Sequence, residues 1–249
     1  MNPKIIALIP ARLAATRLPN KPLIDLHGKP MIQRVWEQAM MADKIQQVAV
    51  ATPDREIAKV VEGFGGRAVM TAESHRSGTD RLAEAASILN LGPDDIVVNL
   101  QGDEPVIAPE SLNIVVNLLL ADPELSMSSL MCPCPDFDLD NPACVKVVCA
   151  LNGDALYFSR ARLPYPRNSS GASEVHQHYG LYAYRRHFLT TYSSLEPTPL
   201  EKIESLEQLR VLENGFKIRM AKVDMSPIGV DTPEDLERVL ALLSKSVCR

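Results

Sequence analysis

Short apolar runs alternate with amphipathic stretches along the first half of this 249-residue chain. Residues 5–9 are apolar without a break and read as a strand buried on both faces. Apolar positions 31, 32, 35, 36 and 39 recur at helical spacing and predict a helix over 31–39, with Pro30 suited to its first turn. A second apolar run over 48–52 predicts another strand. Asp54 is placed to cap a helix running to Phe64, which Gly65-Gly66 ends. A strand over 68–70, a helix over 79–91, a strand over 95–100 and, beyond a turn at Pro105, a helix over 109–120 continue the rhythm. Strands alternating with helices predict an α/β fold: a mostly parallel sheet with right-handed crossovers and helices on both faces.

From about Ser126 the character changes. Strand patterns over 145–150 and 155–160 flank Leu151-Asn152-Gly153-Asp154, where Asn152-Gly153 predicts a hairpin turn. Residues 164–173, rich in Pro, Gly, Ser and Asn, predict an exposed, mobile loop. A strand over 176–184, one helix over 199–214 closed by Asn214-Gly215, and a strand over 218–221 follow. Thr232 as N-cap and Pro233 at the first helical position open a last helix. The change of character divides the chain into 1–125 and 126–249, two portions of one intertwined unit.

Composition narrows the classes. Hydrophobic residues make up 46% and charged residues 23%, the balance of a soluble globular protein with a sizeable core. A net charge of −5 argues against a general binder of nucleic acid or anionic membranes, so basic residues matter locally. No run approaches the roughly 18 apolar residues of a membrane span. The apolar run near the start lacks a basic region before it, and the expected location is cytoplasmic. The five cysteines are expected to be reduced and mostly buried; Cys132-Pro133-Cys134 is too tight and isolated for a zinc site.

Candidate chemistry begins where the first strand ends. Arg12, Arg17 and Lys21 fall within ten positions of a proline-punctuated loop. Open α/β sheets bind ligands at the carboxyl ends of their strands, and three cations there would meet an anion such as a nucleotide triphosphate. Neither GxxxxGK[ST] nor GxGxxG is present, so side chains would neutralise the phosphates. A solvated basic loop is the plainer alternative. Asp103, in Gln101-Gly102-Asp103-Glu104-Pro105, follows the strand over 95–100 and is placed either to hold Mg2+ against phosphates or to cap the turn before Pro105. Asp231 is the candidate second carboxylate, or an ordinary helix-capping residue. Ser77, Gly78, Thr79 and Arg81 open a helix whose small and hydroxyl residues suit a planar base, or simply an N-cap with a surface arginine. Arg160, Arg162, His178, Tyr182, Glu207 and Gln208 together suit a polyhydroxylated acid. Glu204, Glu207 and Gln208 share one face of the helix over 199–214, which is equally the pattern of a solvated face.

Six stretches, in order and at plausible spacing, resemble one family. They are Ile9-Pro10-Ala11-Arg12 with Thr16-Arg17-Leu18-Pro19-Asn20-Lys21-Pro22-Leu23, then Gly28-Lys29-Pro30-Met31-Ile32 and Ser77-Gly78-Thr79-Asp80-Arg81. Val98-Asn99-Leu100-Gln101-Gly102-Asp103-Glu104-Pro105, Ala155-Leu156-Tyr157-Phe158-Ser159-Arg160 and Gly229-Val230-Asp231-Thr232-Pro233-Glu234-Asp235-Leu236-Glu237 complete the set. Together they resemble the 3-deoxy-manno-octulosonate (Kdo) cytidylyltransferases over about residues 5–243. The resemblance implies a Rossmann-like fold of the nucleotide-diphospho-sugar transferase type, with a smaller strand-rich insertion used for homodimerisation. It implies transfer of CMP from CTP to Kdo with Mg2+, giving CMP-Kdo and pyrophosphate for lipopolysaccharide synthesis. Carried onto this chain, it gives the triphosphate to Arg12, Arg17 and Lys21, the cytosine side to Ser77, Gly78 and Thr79, and the metal to Asp103 and Asp231. It gives the sugar to Gln101, Arg160, His178, Tyr182, Glu207 and Gln208. Two departures stand out: Ala15-Thr16-Arg17 where the family often has Ser-Thr-Arg, and Gln177-His178 where it commonly has a cation before the histidine. The alternatives are the same chemistry on 8-amino Kdo or a sialic acid, and a nucleotide-binding regulator without catalysis.

Overall fold

In a computed structural model, residues 3–13, 18–75, 77–167, 174–225 and 228–247 are described. The chain runs β1 (Ile5–Pro10), α1 (Met31–Met40), β2 (Gln47–Thr52), α2 (Arg55–Gly63), β3 (Arg67–Met70), α3 (Gly78–Ile88), β4 (Ile96–Asn99) and α4 (Pro109–Ala121). It continues as β5 (Met127–Pro133), β6 (Lys146–Cys149), β7 (Ala155–Ser159), β8 (His176–Arg185), α5 (Arg186–Ser194), α6 (Pro199–Glu204), α7 (Gln208–Glu213), β9 (Arg219–Lys222) and α8 (Pro233–Val247). The main sheet has the order β3-β2-β1-β4-β8-β5-β9. Neighbours pair in parallel except at β8, which runs antiparallel to β4 and β5. The mostly parallel α/β sheet expected from the sequence is therefore present.

Alternation along β1 explains the layering. Ile5, Ala7 and Ile9 pack with Ile32 and Val35 of α1, Ile57 and Val61 of α2, and Leu112 and Val115 of α4. Ile6 and Leu8 point the other way, against Leu82 and Ala85 of α3, Phe188 and Leu189 of α5, and Leu209 of α7. Both faces are covered, which is why the first strands read as unbroken apolar runs. A smaller cluster, Leu26 and Met31 with Val230, Val239 and Leu243, docks α8 beside the first loop.

Departures from the expected elements have local causes. Pro30 sits at the N-cap of α1 rather than inside it. The helix expected over 199–214 is two helices, because Ser205 adopts a left-handed conformation (φ 52°) and ends α6. Glu204 therefore does not share a helix face with Glu207 and Gln208. Strand β5 and helix α5 were not expected. The hairpin between β6 and β7 is present, with Gly153 at φ 86° and a bulge that leaves Leu156 as the extra residue. Of the four described cysteines, all free, Cys132 is buried and Cys134, Cys144 and Cys149 are half-buried, so the thiols are less buried than expected. Residues 168–173 of the expected loop lie outside the described residues.

Lys146 is fully buried where β6 begins. Its ammonium is held by carbonyls, Nζ donating to Asn141 O at 2.6 Å and Cys144 O at 2.7 Å, which fixes the segment entering β6. Phe158, fully buried in β7, packs edge-on to His178 with ring centroids 5.0 Å apart. Replacing Phe158 with alanine is expected to cost about 3–5 kcal/mol of stability. Denaturant unfolding would show this as a lower midpoint at unchanged slope. A loss under about 1 kcal/mol would remove Phe158 from the core.

Candidate active site

Strands β1 and β4 lie side by side and parallel, so the loops leaving their carboxyl ends emerge together. The first loop is tied down by Ala11 N donating to Ala51 O at 3.0 Å. Leu13 N donates to Asp54 Oδ2 at 2.8 Å, so the Asp54 carboxylate holds this loop and does not cap α2 as expected. Opposite, a Cβ on Gly102 would lie 3.2 Å from Pro10 O; glycine is what lets the two loops pass this closely.

Lys21 stands where the loops meet. Its Nζ donates to Asp103 Oδ2 at 2.6 Å and to Asp231 Oδ1 at 2.9 Å. The side chains are part-buried, at 15% exposure for Lys21, 30% for Asp103 and 50% for Asp231. Burial alone would lower the Lys21 pKa, but the two carboxylates outweigh it and hold the ammonium above its ordinary value. Val230 N donates to Asp103 O at 2.9 Å and brings the segment before α8 to the end of β4. Capping of α8 falls to other groups. Asp235 Oδ2 accepts from Asp231 N at 3.1 Å and Thr232 N at 3.0 Å, and Thr232 Oγ1 accepts from Asp235 N at 3.3 Å. The Asp231 carboxylate is thus not spent as a cap. Neighbouring Glu104 points into the interior, where burial and then the Asp103 charge push its pKa up to about 8. Buried there, it does not join the two carboxylates.

Two clefts open at the carboxyl ends of β1 and β4. A cleft of about 160 Å3 is lined by Arg12, His75, Ser77, Gly78, Arg81 and Gln101 among others. Ser77 caps α3, its hydroxyl accepting from Asp80 N at 3.1 Å, and the start of that helix adds positive potential. Arg81, 4% exposed, donates from Nη1 to Thr71 Oγ1 at 2.6 Å and Ala72 O at 3.1 Å. Burial and then the charge of Arg12 lower its pKa, so two guanidiniums face a common space. Arg17 lies outside the described residues.

A second cleft, of about 330 Å3, shares Gly78 and Gln101 with the first. Thr79, Asn99, Tyr182, Tyr184, Glu207 and Gln208 line it. The break at Ser205 turns Glu207 and Gln208 of the next turn toward this space. Glu207 is exposed as a residue, yet its carboxyl is set among other groups. Burial, then the Asp80 and Glu201 charges, raise its pKa against the opposing pull of Arg210. Gln101, Tyr182, Glu207 and Gln208 are thus brought together as the sequence suggested.

Arg160 and His178 are not among the residues lining either described cleft. The Arg160 guanidinium is committed to carbonyls, Nε donating to Glu204 O at 2.7 Å, Nη1 to Pro142 O at 2.9 Å and Nη2 to Ser205 O at 3.2 Å. It braces the break at Ser205. His178 lies behind Tyr182, with centroids 5.2 Å apart, and its Nε2 is 3.0 Å from Ser129 Oγ. Although one edge of the residue is partly exposed, burial of the ring pushes its pKa down to about 3, so the imidazole is neutral. Asn99 and Tyr184 were missed. A signal existed for Asn99: a fully polar side chain inside an apolar strand, 3% exposed, is unusual enough to mark a site.

Comparisons with known proteins place the chain in a family. Residues 6–218 match the family model described as Cytidylyltransferase. A 3-deoxy-manno-octulosonate cytidylyltransferase of Syntrophus aciditrophicus is 47% identical over 241 residues, covering 96% of this chain and 97% of that protein. One from Geobacter metallireducens is 46% identical over 253 residues, covering 97% and 98%. A solved CMP:2-keto-3-deoxy-manno-octonic acid synthetase complexed with CTP superposes with a TM-score of 0.93 at 44% identity, covering 98% of this chain and 99% of that one. A cytidylyltransferase from Leptospira borgpetersenii shares the fold at a TM-score of 0.67 and 18% identity. The chain belongs to the cytidylyltransferase family, and within it to the 3-deoxy-manno-octulosonate cytidylyltransferases.

Proposed function

We propose that this chain transfers CMP from CTP to the anomeric hydroxyl of Kdo, giving CMP-Kdo and pyrophosphate for lipopolysaccharide synthesis. The observation that carries the reading is two clefts that share Gly78 and Gln101, with Lys21 meeting two carboxylates, one of them Asp103 on the loop that Gln101 opens. A nucleotide in one cleft and a sugar in the other would meet at that junction. The names of relatives about 46–47% identical over nearly the whole chain supply the substrates.

In this reading Arg12, Arg17 and Lys21 hold the triphosphate, and Ser77, Gly78 and Arg81 form the nucleoside side, with Thr79 facing the second cleft from the same helix start. Gln101, Tyr182, Glu207 and Gln208 hydrogen-bond the sugar. Arg160 and His178 act from behind, one bracing the Ser205 break and the other supporting the Tyr182 ring. The C2 hydroxyl attacks the α-phosphorus, the bond to the β-phosphate bridging oxygen breaks, and pyrophosphate leaves. The chain contributes positioning and fixed charge, with no covalent intermediate.

The donor set fits Mg2+: Asp103 and Asp231 bring hard carboxylate oxygens to one point, and this ion takes one or two carboxylates from protein beside phosphates. Bound there, it would polarise the phosphates and lower the pKa of the attacking hydroxyl. Among the described residues no helix is long and apolar enough to cross a membrane, and we place the enzyme in the cytoplasm, where CTP is available. We also propose a homodimer. The β6–β7 hairpin exposes Leu151 and Leu156 (62% exposed), apolar residues that a second copy would cover.

Purified protein should release pyrophosphate when CTP, Mg2+ and Kdo are all present, with UTP, ATP, 8-amino Kdo and sialic acid giving far less. Turnover of another acid sugar but not Kdo would overturn the substrate and leave the chemistry standing. CTP binding with silence on every sugar would favour the regulator. The Asp103→Asn variant, checked for folding by its thermal midpoint, should lose about 10²–10³-fold in turnover. Near wild-type turnover would end the metal assignment. In sedimentation, the wild type should run as a dimer and Leu156→Asp should shift it toward monomer; a monomeric wild type would sink the dimer.

A further inference from the structure

The point on which Asp103 and Asp231 converge is taken by a cation of the chain itself, the Lys21 ammonium, 2.6 and 2.9 Å from their oxygens. Two carboxylates facing one another repel unless a positive charge lies between them, and the ammonium offsets that repulsion. The same charge stands in the way of a divalent ion. An ion reaching those oxygens has to displace an ammonium that is tethered a few bonds away and already hydrogen-bonded to both carboxylates. Burial also favours this pairing, since the Lys21 side chain is 15% exposed.

The stem of Lys21 can move its charge. It has four rotatable methylenes and rises from a short turn, Lys21–Leu23, at the end of the cationic loop. A triphosphate arriving between Arg12 and Arg81 would offer oxygens that compete for the ammonium.

We propose that Lys21 is a tethered stand-in for the metal. It holds Asp103 and Asp231 at ligand spacing and excludes divalent ions until a nucleoside triphosphate draws the ammonium onto its phosphates. The carboxylates are then released, already positioned, to the ion that accompanies the nucleotide. Metal binding is thereby made conditional on nucleotide. This rests on the functional reading above, specifically on Asp103 and Asp231 as the metal ligands.

Mn2+ serves as the probe, its binding to protein without nucleotide read by loss of the free-ion electron paramagnetic resonance signal. Wild-type protein should bind it weakly. Lys21→Met should bind it about tenfold or more tightly, the worth of one charged hydrogen bond removed from competition. The gain should vanish in Lys21→Met combined with Asp103→Asn. Lys21→Gln, which keeps a polar head, gives a second test if Lys21→Met folds poorly. A Mn2+-dependent rise in thermal midpoint should then appear in the variant and not in wild type. Equal Mn2+ affinity in wild type and both variants overturns the proposal. Calorimetry of CTP with and without Mn2+ separates the two ideas. Tighter binding of Mn2+-CTP to wild type upholds the metal reading whatever the lysine does. Equal binding of CTP and Mn2+-CTP removes the metal site and the stand-in together.

Discussion

The contact of one ammonium with two carboxylates joins three parts of the chain that the sequence keeps far apart. Lys21 is 82 residues from Asp103 and 210 from Asp231. Each partner reaches the contact by a different device. Lys21 leaves a short turn after the first loop, Asp103 follows the end of β4, and Asp231 is held by the backbone bond from Val230 to Asp103. The last helix therefore closes against the first loop, where Leu26 and Met31 meet Val239 and Leu243 in an apolar cluster of their own. Removing the ammonium would leave two carboxylates facing each other without the Lys21 charge that offsets their repulsion.

Strand β8 does for the second cleft what Lys21 does for the centre. Its ten residues pair first with β5 and β6, and then with β5 and β4. The antiparallel register sets Tyr182 opposite Asn99, one place before the β4 loop begins. That pairing lays the floor of the second cleft directly beside Gln101. The side chains behind it are then determined: His178 packs on Tyr182, Phe158 packs on His178, and β7 carries Phe158 two residues before Arg160. Arg160 consequently emerges at the α6–α7 break, where two carbonyls of an interrupted helix need donors.

Legibility follows from this construction. Strands β1, β2 and β4 are covered on both faces by helices, so their residues must be apolar and the runs are plain. Strand β5 is equally buried but reads Met-Ser-Ser-Leu-Met-Cys-Pro. Its serines tolerate burial because Ser128 Oγ donates to Val115 O at 2.7 Å and Ser129 Oγ lies 2.9 Å from Leu181 O, partners that no local pattern announces. Helix α5 follows β8 without a breaker between Arg185 and Arg186, so its start has no signature. A non-glycine residue in the left-handed region at Ser205 likewise leaves no trace in periodicity. Lys21, Asp103 and Asp231, which the fold brings together, were picked out because loop ends of parallel strands are where ligands collect. The Arg160 guanidinium meets backbone carbonyls exposed by a helix break the sequence hides, so these contacts could not be read from it.

The local charge pattern gives the site its direction. The chain carries a net charge of −5, yet Arg12 and Arg81 face one another closely enough that Arg12 contributes to lowering the Arg81 pKa. Burial and the Arg12 charge work against the Arg81 cation, and the Asp54 and Glu84 carboxylates offset part of that cost. An anion entering between the two guanidiniums would offset more of it. On the other side of Gln101 and Gly102 the charges are reversed: two carboxylates meet the Lys21 ammonium. In the proposed reading, a polyphosphate accompanied by a divalent ion would satisfy both sides.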